Sequence, residues 1–360
     1  MSKILVYPFD VEFEPIIKCL ENNSEINSLV LSSPNGWGYV GTEYNWKNQV
    51  IVITNEFESL LDDCDEVWFV PSRNFIHPID IIINKVEASI NMKKNTYFWR
   101  NPKELESVRN EVKDKIIMNN SYIVQEIVDH DTEIYQFEVP IIGVMGNSEQ
   151  TSKFELELMI SERLRNLGYD VSLVASKAGF DMLDLYSFPQ WMICPGMTEL
   201  QKIVCFNHYI KSIETINQPD IIIIGIPGFM YPFSNRIHGD FGVLHFEISW
   251  AIEFDYIYFS LLFGDYDSQV LNRIKDIAKN TFGYEIDCFN LSNNLMNPVE
   301  LEENEATNYV TIPDHKVLER LITYNSNSHN MISNRCVESV DIAVDRMIKT
   351  LEGYLKTTAV

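Results

Sequence analysis

The sequence lacks a long apolar run, a Cys-x-x-Cys pair and an excess of basic residues. Its most apolar stretch, residues 221–224 with an extension to 230, falls far short of the about 20 residues that a membrane-spanning helix requires. The six cysteines lie far apart in a chain of 360 residues, which is unlike a short disulfide scaffold or a zinc site. We therefore expect reduced thiols and no metal site of the chain's own.

Basic residues are outnumbered, with 28 Lys and Arg against 52 Asp and Glu and a formal net charge of -24. Such an acidic balance disfavours non-specific binding to nucleic acid or to an anionic membrane. It still permits a local phosphate pocket, because one lysine at a helix N-terminus can build one. Residues 1–8 have no signal-peptide pattern, so we expect a cytoplasmic protein with neither nucleic acid nor membrane as a partner.

Length and the pattern of apolar segments predict an α/β protein with more than one domain, since 360 residues exceed one ordinary core. Strands alternate with helices in residues 1–100, which predicts a small Rossmann-like N-terminal domain with parallel strands. Residues 101–138 are highly charged and predict a connecting helix and a polar linker. Residues 139–360 predict a P-loop-like, doubly wound α/β domain. Its expected elements are strands at 139–145, 169–175, 220–224 and 256–263, helices at 153–167, 198–216, 268–280 and 337–355, and a strand at 308–312 that closes the sheet.

The most informative segment is Gly143-Val-Met-Gly-Asn-Ser-Glu-Gln-Thr-Ser-Lys-Phe154. A strand, a loop and a helix that begins with lysine form an arrangement that binds phosphate, because backbone N–H groups and the helix dipole favour an anion. In the strict Walker pattern glycine precedes this lysine and Ser or Thr follows it, whereas Ser152 and Phe154 stand here. The loop is also one residue longer than the strict pattern. We therefore interpret the segment as a degenerate phosphate loop.

A set of residues around this loop is predicted to bind the phosphates of ATP or GTP with Mg²⁺: Gly143, Gly146, Gln150, Thr151, Ser152, Lys153, Lys177 and Gly228. Lys153 would neutralise phosphate charge, and Thr151 or Ser152 would approach Mg²⁺, with Asp181 as a second candidate ligand for the metal. The sequence has no Asn-Lys-x-Asp guanine signature, which favours ATP.

The longer loop resembles that of dethiobiotin synthetase-like P-loop NTPases, as do the strand that delivers Lys177 and the segment Pro219-Asp-Ile-Ile-Ile-Ile-Gly-Ile-Pro-Gly228. In that class an acidic residue ends the latter strand and holds Mg²⁺ through water, but here Gly225 occupies the place. Candidate replacements are Asp181, Asp184, Asp240 and Glu247. Whether nucleotide is hydrolysed stays open, and so does the alternative of a P-loop fold that has lost nucleotide binding.

Several segments resemble a bacterial family of peptide maturation system proteins, among them Gly-Asn-Ser-Glu-Gln-Thr-Ser-Lys-Phe-Glu-Leu-Glu, Tyr-Ser-Phe-Pro-Gln-Trp-Met and Phe-Ser-Leu-Leu-Phe-Gly-Asp-Tyr. Members of that family accompany bacteriocin-type peptide clusters. The resemblance implies an accessory role in the biosynthesis of a ribosomal peptide natural product, with a precursor peptide or a radical-SAM maturase as partner. The alternative is a non-catalytic module that binds the peptide or the maturase, with aromatic residues at 229–233 as the anchor.

Overall fold

The computed structural model describes residues 2–21, 23–72, 78–100, 102–106, 108–118, 132–177, 185–232, 238–297, 309–325 and 330–358. Contacts divide the chain into two compact units, residues 1–123 with 178–187 and residues 124–177 with 188–360. The predicted boundaries at 100 and 138 remain predictions. The two units are described separately below.

The described strands, in chain order, are β1 Ser2–Tyr7, β2 Ile26–Leu31, β3 Glu43–Trp46, β4 Gln49–Val52, β5 Glu66–Phe69, β6 Asn95–Phe98, β7 Ile116–Met118, β8 Ile141–Gly146, β9 Val171–Ala175, β10 Tyr186–Ser187, β11 Ile221–Gly225, β12 Tyr256–Leu261, β13 Cys288–Leu291, β14 Asn294–Met296, β15 Tyr309–Thr311 and β16 Met331–Ile332. The described α-helices are α1 Glu14–Leu20, α2 Phe57–Leu60, α3 Ile79–Asn91, α4 Asn110–Lys113, α5 Lys153–Asn166, α6 Glu199–Asn217, α7 Val243–Ala251, α8 Ser268–Phe282, α9 Asp314–Asn325 and α10 Val337–Thr358.

The first unit contains a parallel sheet in the order β2-β1-β5-β6-β7, with β3 and β4 as a separate antiparallel hairpin. Counted within that sheet, the order is 2-1-3-4-5, one of the common doubly wound arrangements. Leu5, Phe57, Val67 and Phe69 are buried in the core between the sheet and its helices. The predicted α/β, Rossmann-like character of this part of the chain is confirmed.

The charged stretch that begins at 101 differs from its prediction of a connecting helix. A 3-10 turn, Pro102–Leu105, and the single helical turn α4 precede the strand β7. Because β7 pairs in parallel with β6, this stretch extends the first sheet instead of leaving it. Residues 119–131 lie outside the described residues.

The second unit holds six parallel strands in the order β9-β11-β8-β12-β13-β16. All residues of β8, β11 and β12 are buried, which explains their continuous apolar sequences, since helices cover both faces of such a sheet. From β8 the chain first builds β9 and β11 on one side and then β12 and β13 on the other. The carboxyl end of β8 is therefore the topological switch point, where open α/β sheets bind ligands.

The strand predicted at 308–312 does not close this sheet. β15 pairs antiparallel with β14 in a separate two-stranded ribbon, and the strand at the sheet's edge is the two-residue β16 beside β13. The prediction failed because an apolar alternation identifies a strand without its partner. Among the described helices, none is both long and apolar enough to cross a membrane.

Candidate functional site

The phosphate-loop segment lies where the sequence places it, between the central strand β8 and the helix α5. Ser152 has the left-handed backbone conformation, with φ 55° and ψ 29°, and α5 begins at the next residue, Lys153. The strict pattern has glycine at position 152, which adopts this conformation without a steric penalty. The loop therefore has a glycine-type backbone at a serine, at a cost of about 1 kcal/mol.

The Lys153 amine joins two loops at the carboxyl edge of the sheet. Its Nζ donates to the Ser148 carbonyl oxygen and to the Gly228 carbonyl oxygen, each at 2.8 Å. The residue is only 4% exposed. Gly228 follows β11 with φ +82°, a conformation that favours glycine. The structure thus brings two of the predicted phosphate-binding residues, Lys153 and Gly228, into direct contact.

Gly146 is required by the close packing of the loop against the end of β8. A Cβ atom at this position would lie 2.6 Å from Thr151 Oγ1 and 2.8 Å from the Ser260 carbonyl oxygen. Thr151 is fully buried and donates from Oγ1 to the Ser148 carbonyl oxygen at 3.2 Å. The hydroxyl predicted to approach Mg²⁺ therefore faces the interior of the loop, where it shares the Ser148 carbonyl oxygen with the Lys153 amine.

The predicted residues Gln150 and Gly143, and Ser148 between them, have structural partners. The backbone carbonyl of Gln150 accepts a hydrogen bond from Asn294 Nδ2 at 2.9 Å, and the Ser148 hydroxyl lies 2.8 Å from the Tyr309 hydroxyl. The ribbon of β14 and β15 thus supports the outer side of the loop. Gly143 lies inside β8, and a Cβ there would lie 3.0 Å from the Phe254 ring, so its lack of a side chain makes room for packing.

Lys177 follows β9, and its Nζ lies 5.9 Å from the centre of the Phe154 ring. Phe154, which replaces the hydroxyl residue of the strict pattern, is itself buried. Asp181 and Asp184, two of the candidate acidic residues, lie outside the described residues. Of the other two, Asp240 is exposed, and buried Glu247 pairs with Lys202, whose Nζ is 3.3 Å from Glu247 Oε1.

Glu157 is a site residue that sequence reasoning missed. It is fully buried one helical turn after Lys153, and its Oε2 accepts a hydrogen bond from the Ser176 backbone N–H at 2.9 Å. Its Oε1 has no hydrogen-bond partner among the described residues. Burial raises the pKa of the Glu157 carboxyl to about 7, against the lowering effects of Ser176 hydrogen bonds and of Lys153 and Lys177. The available signal was helical spacing, which places residues 153 and 157 on one face.

Aromatic and amide side chains line the same edge of the sheet. Asn147 Oδ1 accepts from the Leu262 N–H at 3.1 Å, and its Nδ2 lies 3.4 Å from the Tyr266 hydroxyl. Burial raises the pKa of Tyr231 to about 12, while its hydrogen bond with Asn147 acts in the opposite direction. These hydroxyls therefore stay neutral hydrogen-bonding groups near neutral pH.

His245 is a further buried polar residue of this unit. It lies on α7 against the rings of Phe282 and Tyr284, with ring centres 6.1 Å and 6.5 Å away. Neither ring nitrogen has a hydrogen-bond partner in the described part of the chain. Burial, with a smaller contribution from Lys153, lowers the pKa of His245 to about 3. The imidazole is therefore neutral, in agreement with a structural histidine.

The described residues contain no cluster of three or more His, Cys, Asp or Glu side chains that could hold a metal ion.

The fold has a counterpart among solved structures. A DUF1611 family protein from Anabaena variabilis ATCC 29413 is similar over 97% of this chain and 100% of its own, with a TM-score of 0.61 and 8% identity. At this identity the likeness shows a shared fold alone. A GTPase in apo form from Pyrococcus abyssi covers 59% of this chain and 97% of its own at 13% identity, with a TM-score of 0.33. A pseudomurein peptide ligase type C from Methanothermus fervidus covers 81% of this chain and 44% of its own at 8% identity, with a TM-score of 0.26.

No protein-family model matches the sequence, and no curated protein matches it. The α/β fold thus has a counterpart of known structure.

Proposed function

We propose that the second unit binds the phosphates of a nucleotide, ATP in preference to GTP, at residues 146–153. The observation that carries this proposal is the position of the Lys153 amine, which is buried at the first turn of α5 and donates to two backbone carbonyls of the surrounding loops. A phosphate oxygen is a stronger acceptor for an ammonium group than a neutral carbonyl. Binding would therefore exchange these two contacts for charge-assisted ones, next to the N–H groups that begin α5.

A nucleotide of this kind is accompanied by Mg²⁺, which neutralises phosphate charge when it is bound. The oxygen donors present fit such an ion, because Mg²⁺ prefers a few oxygen ligands and keeps several waters. Thr151 offers a buried hydroxyl, and Glu157 offers a carboxylate oxygen without a partner among the described residues. Asp181 remains a predicted metal ligand outside those residues. Hydrolysis is no part of this proposal, because Gly225 leaves the strand end without an acid of its own.

The partner is proposed from the sequence resemblance alone. We propose that the chain is an accessory protein of peptide maturation in the cytoplasm and binds a precursor peptide or its radical-SAM maturase. In the non-catalytic alternative, aromatic residues at 229–233 anchor the bound peptide or maturase. Phe229 and Met230 are buried and pack in the core, and Phe233 lies outside the described residues. A pull-down with an immobilised precursor peptide and with the maturase tests this partnership, and retention of neither would contradict it.

Isothermal titration with ATP and with GTP, each with Mg²⁺, tests the nucleotide proposal on the whole chain. Wild type should bind ATP, and Lys153→Ala should weaken the affinity by about tenfold or more, as expected for the loss of charge-assisted hydrogen bonds. Lys279→Ala is the matched control, since this lysine is 65% exposed on α8 and pairs with Glu285. Equal affinities of all three proteins, or no heat of binding in any, would refute the proposal.

A further inference from the structure

The end of β11 has no acidic residue, yet a carboxylate occupies the space beside it. A Cβ atom at Gly225 would collide with Glu157 Oε1 and would lie 2.6 Å from Glu157 Oε2. Glu157 belongs to α5, whereas Gly225 is the last residue of the strand next to β8. A side chain that started from Gly225 would therefore have to enter the volume that the Glu157 carboxylate fills.

The two oxygens of the buried Glu157 carboxylate differ in their hydrogen bonding. The Ser176 N–H, at the end of β9, fixes Oε2 at 2.9 Å, while Oε1 lacks a hydrogen-bond partner within the described ranges. A buried carboxylate oxygen without a partner is costly, and native structures rarely keep one without a use for it. Anchoring of α5 to β9 needs Oε2 alone, so it leaves Oε1 unexplained.

The spacing of Lys153 and Glu157 along α5 brings the two side chains to the same site. Glu157 and Lys153 are four residues apart on α5, which puts them on one face, one turn above the other. Both side chains are buried against the same edge of the sheet. Lys153 meets the loop after β11 through the Gly228 carbonyl, and Glu157 meets the end of β11 at Gly225. The Glu157 carboxyl group therefore occupies the place where a strand-end acid of a P-loop protein would stand, and the Lys153 amine contacts the loop that follows that strand.

We propose that Glu157 supplies, from α5, the carboxylate that P-loop proteins place at the end of the neighbouring strand, and that its Oε1 faces the hydrated Mg²⁺ of the bound nucleotide. This inference rests on the nucleotide-binding function proposed above. Relocation of the carboxylate from the strand to the helix explains why residue 225 is glycine, because only a residue without a Cβ leaves room for the relocated group. The same relocation explains why β11 lacks an acidic residue although the site still contains a carboxylate.

The test compares nucleotide affinity with and without the metal. The dissociation constant for ATP is measured in EDTA and in Mg²⁺ for wild type, Glu157→Gln and the control Glu162→Gln, which is exposed on the same helix. Mg²⁺ should tighten ATP binding to wild type and to the control, and the loss of the Glu157 carboxylate should reduce this effect by about 10- to 100-fold, the usual cost of removing an outer-shell partner of a metal. In Glu157→Gln this ratio should fall to near one with the affinity in EDTA unchanged, since glutamine keeps an oxygen for Ser176 and loses the charge.

A double variant tests the same contact between residues 157 and 225 by moving the carboxylate back to the strand. Gly225→Asp alone should fail to fold or lose stability, since its side chain meets Glu157, whereas Gly225→Asp combined with Glu157→Ala should fold and recover the Mg²⁺ effect. The double variant decides the matter if Glu157→Gln does not fold. An Mg²⁺ ratio in Glu157→Gln equal to that of wild type, a ratio of one in wild type, or a folded double variant without the Mg²⁺ effect would each overturn the inference. In those cases ATP binding in EDTA would leave the proposed function standing, while no ATP binding in either medium would overturn both.

Discussion

The Lys153 amine and the Gly228 carbonyl oxygen are 2.8 Å apart, although the two residues are separated by 75 positions in the chain. This contact ties the start of α5 to the loop after β11. It sets the lysine across the carboxyl end of the central strand, with its charge buried at a helix N-terminus. An anion that entered this edge would meet a positive group already in place.

Binding of ATP should raise the melting temperature of the chain through this lysine. At a free ATP concentration of about 100 times the dissociation constant, stabilisation of the binding unit should reach about 2.7 kcal/mol. Differential scanning fluorimetry with ATP and Mg²⁺ should therefore show an upward shift for wild type and for Lys279→Ala, and a much smaller one for Lys153→Ala. Equal shifts in wild type and Lys153→Ala would show that ATP acts elsewhere.

Ser152→Gly should stabilise the protein. The left-handed backbone at this position, φ 55°, costs serine more than glycine, so the change should contribute about 0.5 to 1 kcal/mol to the free energy of unfolding. Glu162→Gly, in the exposed interior of the same helix, should instead destabilise by about 1 kcal/mol. Chemical denaturation of both variants measures the two changes in the free energy of unfolding, which should have opposite signs. A loss of stability in Ser152→Gly would be inconsistent with strain at the loop.

Gly146→Ala should be strongly destabilising because the added methyl group meets the Ser260 carbonyl oxygen at 2.8 Å, a backbone atom that cannot turn away. Overpacking of this kind costs about 1 to 3 kcal/mol. Gly264→Ala is the control, since the nearest atom to a Cβ there is in the Tyr266 ring at an ordinary 3.4 Å. Thermal melts should separate the two variants, and similar melting temperatures would mean that the loop gives way at no cost.

Acidic pH should weaken the second unit through His245. Its folded pKa of about 3 lies below the value of about 6.5 for an unfolded histidine, so below pH 6.5 the unfolded chain binds the extra proton. The stability that neutral His245 provides is therefore present above pH 6.5 and is lost as pH falls toward 3. His245→Phe should flatten the stability profile over that window. His208→Phe, at a half-buried ring on α6, is the control, and identical profiles for wild type and His245→Phe would contradict this assignment.

The sequence was sufficient for the elements whose apolar runs are long and whose helix ends are marked. Strand β11 is four isoleucines and a glycine, and α6 begins at a capping box of Thr198 and Gln201. Both lie close to their predicted positions. Strand partners were harder to predict, because β15 is specified by its contact with the short β14 and β16 by its contact with β13, which lies far away in the chain. The apolar residues of a strand indicate that it is buried, but they do not identify the strand with which it pairs.

In the site, the position of Lys153 followed from the strand-loop-helix pattern, while the carboxylate did not. The sequence predicts the acid at the strand end, residue 225, or among acidic residues that follow α5 in the chain. Glu157 lies inside α5 among residues that alternate between charged and apolar, where a glutamate normally faces solvent. Its burial depends on the space that Gly225 leaves, which is a property of the packed structure.

Native mass spectrometry of the whole chain with ATP and Mg²⁺ tests the central claim most directly. The account predicts one added nucleotide mass per chain for wild type, present at low ATP and absent or greatly reduced for Lys153→Ala under the same conditions. A wild-type spectrum with no added mass at saturating ATP and GTP, or an equal nucleotide adduct on Lys153→Ala, would contradict the claim that this loop binds phosphate.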